Sequence, residues 1–178
     1  VNAVSAAIGL AVVGAGAYLY VVRRAAKVAG DPNIATVAAV AIAENGPKAS
    51  SRAHVLVAEA FARNMEASGE NADDIVAGRG GPLAPWPTAE RYRPLLVRAR
   101  ATIAVDGDDG RRAVAAAREA FAAVVGRRGE EAPGATNWTH GRAPFAPWIE
   151  KGYTVVGSEG VPSNARPYLW VYRRPVSR

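Results

Sequence analysis

The sequence contains no cysteine and only two histidines, His54 and His140. The first absence excludes a disulfide framework and any thiolate metal site, without assigning a redox compartment. The second leaves little for a histidine-based metal centre, since neither residue lies in a ligand motif such as His-Glu-x-x-His. The nucleophile elbow of a serine hydrolase is missing. So are phosphate loops and dinucleotide fingerprints: Gly78-Arg79-Gly80-Gly81 is too short and lacks the strand and helix that should flank it. No cofactor is expected, and there is no internal repeat. What is present is a chain of 178 residues, enough for an N-terminal segment and one domain that buries a core without staples.

Charge is missing from one end. Val1 to Val22 carries no charged side chain, and its only polar members are Asn2, Ser5, Tyr18 and Tyr20. At about 1.5 Å rise per residue, such a run nearly matches a hydrocarbon core of about 30 Å. Tyr18 and Tyr20 fall where amphipathic rings prefer the interface, and Arg23, Arg24 and Lys27 follow where cations reach headgroups. The expectation is one N-terminal transmembrane helix, with residues 1–29 as anchor and basic flank and residues 30–178 as the domain. A cleaved signal fits less well, because its positive charges precede the apolar run. A buried core helix is the other alternative. Alanine and glycine make the run only moderately apolar, and Gly9, Gly14 and Gly16 would let a second helix approach closely.

Gly30-Asp31-Pro32-Asn33 reads as a turn and hinge. Ile34 to Glu44 is an apolar helical run that Asn45-Gly46-Pro47 stops. Ser50 or Ser51 can cap a second helix to about Ala67, with Val55, Ala58, Phe61, Ala62 and Met65 on its buried face. After the glycine- and proline-rich loop 78–87, Thr88 can cap a helix to about Val105, irregular at Pro94. Asp108 or Asp109 can cap another, Arg111 to Val125, that Gly126 closes. Beyond Gly129 the character changes: three of the four tryptophans lie here, and Tyr153–Val156 and Tyr168–Tyr172 are β-prone and could pair as a hairpin around residues 157–167. The fold class is therefore mainly α with a small β element.

Net charge is +6 but uneven: residues 30–90 hold four basic and eight acidic side chains, residues 91–128 nine and four. A basic second half could meet nucleic acid, anionic lipid or an anionic wall polymer, or be a solvated arginine-rich surface.

Two constellations can carry chemistry. Glu44 ends an otherwise apolar helix, where the negative end of the dipole and partial burial both disfavour ionisation, as a general acid near neutral pH needs. A surface glutamate at a helix end is the plain alternative. No second carboxylate for a glycosidase pair stands out: Glu59 and Glu66 read as solvated, and Asp73 as a cap. The second constellation is Gly134-Ala135-Thr136-Asn137-Trp138-Thr139-His140. An aromatic face suits a sugar ring, and amides and hydroxyls suit its substituents. Trp138 could equally anchor the β element, and Trp148, Trp170 and Tyr168 read as core.

The order of these motifs is similar to the spore-cortex-lytic or cell-wall hydrolase family. The resemblance rests on Ala43-Glu44 ending one helix, Ala53-His54-Val55-Leu56-Val57-Ala58-Glu59-Ala60-Phe61-Ala62-Arg63-Asn64 in the next, the later Gly134 to Trp138, and Tyr168-Leu169-Trp170-Val171-Tyr172. It covers roughly residues 34–173. It implies a compact lysozyme-like α+β domain with lytic transglycosylase activity on peptidoglycan glycan strands. Carried over, Glu44 becomes the catalytic acid, Gly134, Ala135, Thr136, Asn137 and Trp138 line the substrate groove, and Tyr168 joins more loosely. The chain departs from the family in three places. Asn45-Gly46-Pro47-Lys48 replaces a Glu-x-x-Gly-Glu continuation, Arg63-Asn64 reverses an Asn-Arg pair, and Glu131-Ala132-Pro133 replaces an Asp-Pro.

The positive flank of the expected anchor would hold the domain on the cytoplasmic side, which conflicts with action on an external wall. That points to a single-pass protein in the internal membrane of a virion, with lipid membrane and virion proteins as partners, and otherwise to the bacterial inner membrane. The alternative function is a non-catalytic virion or envelope protein whose basic domain binds nucleic acid or other proteins.

Overall fold

The computed structural model describes residues 3–78, 89–161 and 168–175, with side chains from residue 16 onward and, after the first gap, from residue 94. The elements run α1 (Ala3–Ala29), α2 (Pro32–Asn45), α3 (Ser51–Ser68), α4 (Ala72–Val76), α5 (Ala89–Ala104), α6 (Asp108–Gly126), β1 (Ala135–Gly141), α7 (Ala146–Glu150), β2 (Thr154–Gly160) and β3 (Tyr168–Arg173). The four expected domain helices are present as α2, α3, α5 and α6. The expected hairpin is present as β2 and β3, with its connecting residues 162–167 outside the described residues, as is the Thr88 cap. The sheet has a third member: β3 lies in the middle, antiparallel to both β1 and β2.

Helix α2 is the centre. Every residue from Ala35 to Ile42 is buried, as a helix apolar on all sides requires, and α1, α3, α5 and α6 pack around it. Its start is locally encoded. Asp31 Oδ1 accepts from the Ile34 N–H at 3.0 Å, and Pro32 occupies the first turn. These residues are thus a helix cap rather than a loose hinge. Gly46, at φ 84°, ends the helix, and its N–H donates to Ile42 O.

Helix α3 separates two layers, with α2 and α6 on one side and the sheet on the other. Ser50 caps it through the Ala53 N–H. Two of its residues read from sequence as solvated or unremarkable are structural pins. Glu59 is buried and accepts from the Glu131 and Ala132 N–H groups, each at 2.8 Å. Asn64 donates to Thr136 O at 2.8 Å. With Arg63 paired to Glu130, they fix the segment that leads into β1. Gly157 lets β2 approach closely: a Cβ there would stand 2.9 Å from Leu56 Cδ2.

The transmembrane anchor is not borne out. Among the described residues, no helix is long and apolar enough to cross a membrane. Helix α1 continues through Arg23, Arg24 and Lys27, and its C-terminal half belongs to the domain. Ala25 and Ala29 are buried in the common core. Arg24 Nε donates to Ala104 O at 3.3 Å, and Arg118 donates to Ala29 O at 2.8 Å. Tyr18 accepts from Arg100 at 2.8 Å, a role inside the fold and not an interfacial anchor. The single-pass membrane location, in a virion or at the bacterial inner membrane, is overturned with it. The orientation argument for a virion membrane loses its premise.

Several arginines of residues 91–128 are engaged within the fold. Arg100 pairs with Asp73 and also donates to Thr36 Oγ1. Arg111 pairs with Asp108, Arg112 with Asp109, and Arg127 lies 3.9 Å from Glu66.

Candidate active site

The residues around Glu44 come from three elements. Glu44 lies in the last turn of α2, and its side chain is about one-fifth exposed, at 19%. Its Oε2 is 3.7 Å from Nδ1 of His140, whose side chain is almost buried. The other ring nitrogen, Nε2, is 2.9 Å from Oδ1 of Asn45, the neighbour of Glu44 on α2. Asn45 is buried, and its Nδ2 donates to Ala53 O on α3 at 2.7 Å. His54, also on α3, is fully buried and lies 3.0 Å from Gly46 O, where it holds the turn that ends α2. A carbonyl only accepts, so His54 Nε2 carries the proton there. Burial pushes the His54 imidazole below its ordinary range, against the opposing pull of the Gly46 bond.

Sheet register decides which other residues share this site. His140 pairs with Leu169, and Leu169 with Glu159. Directly paired residues point to one face, and Leu169 is wholly buried, so the row His140, Leu169, Glu159 faces the helices. Glu159 accepts from Ser50 Oγ at 3.1 Å and pairs with Arg52 at 2.9 Å. Trp138 is paired with the buried Val171 and lies on the same face as His140, packed partly against the core.

Of the groove residues expected from sequence, Trp138 shares the inner face with His140. Asn137 pairs with Tyr172 on the opposite face, and its Oδ1 accepts from Thr136 and Arg174. Thr136 sits at the register shift, with its carbonyl held by Asn64. Ala135 is buried. Gly134 makes a turn at φ 74°, where a Cβ would meet Arg173 Cδ at 2.9 Å. Tyr168 is half exposed on the outer face beside Trp170. On that face Tyr172 is instead covered by Trp148, which also stacks on Tyr153 and meets Phe145 edge-on.

Asn45 was not expected at the site, and His140, part of the second constellation, was not expected beside Glu44. A signal for His140 existed: Trp138 and His140, two apart, fall on one face of any strand, but residues 135–141 did not read as a strand. Of the other carboxylates weighed, Asp73 and Glu66 are engaged with arginines, and Glu59 is buried. Among the described residues, no group of three or more His, Asp or Glu side chains is placed to hold a metal ion. No family model, curated protein or solved structure matches the chain.

Proposed function

We propose that the chain is a peptidoglycan lytic transglycosylase in which Glu44 is the general acid and then the general base. The observation that carries the reading is the seating of Glu44. It is a partly exposed carboxyl group at a helix end, held against an imidazole and beside the inner face of a small antiparallel sheet. That arrangement suits proton transfer to a bound ligand. In the proposed step, the Glu44 carboxyl proton passes to the glycosidic oxygen between N-acetylmuramic acid and N-acetylglucosamine, and the C1–O bond breaks. The C6 hydroxyl oxygen of the same muramic acid then bonds to C1 and returns its proton to Glu44. No water is consumed and no nucleophilic carboxylate is needed. Trp138, on the same face as His140, supplies an aromatic surface for a sugar ring.

The test is a zymogram on purified wall with the full chain. We expect clearing by the wild type and its loss in Glu44→Gln. Mass spectrometry should find muramic acid ends one water lighter than hydrolysed ends. Failure to clear wall under any condition of pH and salt would sink the reading. Ordinary reducing ends in place of anhydro ends would retain Glu44 as the acid but make the enzyme a hydrolase.

A further inference from the structure

We propose that His140 and Asn45 act as a positioning pair that sets the direction and proton state of the Glu44 carboxyl group. As a statement about catalysis this rests on the reading of Glu44 as the acid; as a statement about proton placement it stands on hydrogen-bond geometry. The Ala53 carbonyl can only accept, so the Asn45 atom 2.7 Å from it is the donating Nδ2. The reverse amide orientation would bring two buried acceptors together and is ruled out on that ground. Asn45 Oδ1 therefore faces His140 Nε2 at 2.9 Å. An amide oxygen only accepts, so Nε2 carries a hydrogen. In the neutral ring, Nδ1 is then the acceptor, and Nδ1 is the atom 3.7 Å from Glu44 Oε2.

The chain of donors runs in one direction, and it matches a protonated Glu44. A carboxylic acid beside an acceptor Nδ1 can turn its proton toward the ring or toward a bound ligand, because the 3.7 Å contact is longer than a hydrogen bond. If the ring gains a second proton, the same contact becomes an ion pair with the carboxylate. Either way, one proton is shared by the pair, and the carboxyl group keeps its place between donation to the glycosidic oxygen and recovery of a proton from the C6 hydroxyl. Helix and sheet are joined at this point by residues 95 apart in sequence, so the alignment depends on the tertiary fold. Other titratable and charged groups on the elements that meet here are His54 on α3, beside Gly46, and, on the same face of the sheet, Glu159 on β2 with its partner Arg52.

The experiment is a pH series of long-range proton–nitrogen correlation spectra on the full ¹⁵N-labelled chain, with His140→Gln to assign the two imidazoles. The expected result is an Nε2–H tautomer for neutral His140 and a titration midpoint that moves to lower pH in Glu44→Gln, where the anionic neighbour is gone. An Nδ1–H tautomer, or a midpoint unmoved by Glu44→Gln, would overturn the proposal. On wall substrate, His140→Gln should lower kcat roughly 10- to 100-fold with KM little changed, and should displace the pH profile of kcat. Unchanged kcat and profile in a His140→Gln protein, beside an inactive Glu44→Gln, would also overturn it. If the wild type leaves wall intact, the transglycosylase reading fails, while the spectra still decide whether Asn45 and His140 govern the Glu44 proton.

Discussion

His54 and Glu59 are both buried on α3, and they place opposite demands on pH. The folded His54 imidazole is pushed below the 6.5 of the free side chain. The unfolded chain therefore binds a proton that the native state resists, so the contribution of this group is intact above about pH 6.5 and is lost as pH falls below it. Glu59 is pushed above 4.5 by burial, although the two backbone N–H groups that it accepts oppose the shift. Its contribution is complete below pH 4.5 and declines as pH rises through its folded value. As pH falls from 7 the histidine shift destabilises the fold, and the glutamate shift acts in the opposite sense. His54→Gln retains an N–H for Gly46 O but cannot titrate. Thermal unfolding should show a smaller loss of midpoint from pH 7 to pH 5 in this variant than in the wild type. An equal loss would assign the pH dependence elsewhere.

Two close approaches between elements depend on glycine, and they differ in what a side chain would strike. At Gly110, in the first turn of α6, a Cβ would stand 2.7 Å from Thr102 O and 2.9 Å from Ile103 Cα, both backbone atoms of α5. Backbone cannot swing aside, so Gly110→Ala should destabilise by about 1–3 kcal/mol, the range of overpacking in a filled core. At Gly157 the nearest atom is the end of a leucine side chain, and the same change should cost less. Denaturant titration of the two variants checks the order. Asn64→Ala should be costly for a different reason. It leaves the Thr136 carbonyl without the donor that fixes the start of β1, at about 1–3 kcal/mol. Because β1 carries His140, the proposed transglycosylase function implies that this variant also loses wall-clearing activity beyond its loss of stability.

For the molecule as a whole, the main revision concerns α1. Its C-terminal half closes the core over α2 and α5 and supplies Tyr18 to the buried Arg100. Residues 30–178 alone should therefore unfold at a lower temperature than the full chain. The lost Arg100–Tyr18 bond should contribute about 1.5–3 kcal/mol of the difference. Equal midpoints would show that α1 is dispensable for the fold. Activity assays belong on the full chain for the same reason. The distribution of arginine also matters at this level. Composition gives a basic second half, whereas Arg100, Arg111, Arg112 and Arg127 each face a carboxylate, and Arg118 donates to the end of α1.

Helix positions were legible in the chain because their signals are local. Ser50 starts a helix, Gly46 stops one, and the apolar spacing between names the buried faces, whereas Asp31-Pro32, which reads as a hinge, caps α2. Glu44 was legible for the same reason, as the one acid of an apolar helix. The surroundings of Glu44 were not legible. His140 reaches it only because β1 pairs with β3 and α3 holds residues 130–136 by three side chains, contacts that no sequence window contains. The register of that pairing also sends Asn137 and Tyr168 to the far face. Hydropathy marks residues 1–22 as apolar, yet Tyr18, Leu19 and Tyr20 are exposed and the buried residues of α1, Ala25 and Ala29, lie past that run. It does not distinguish lipid from protein as the medium, and for residues 16–29 the answer came from the partners, Ala104, Arg100 and Arg118, that the fold brings to them.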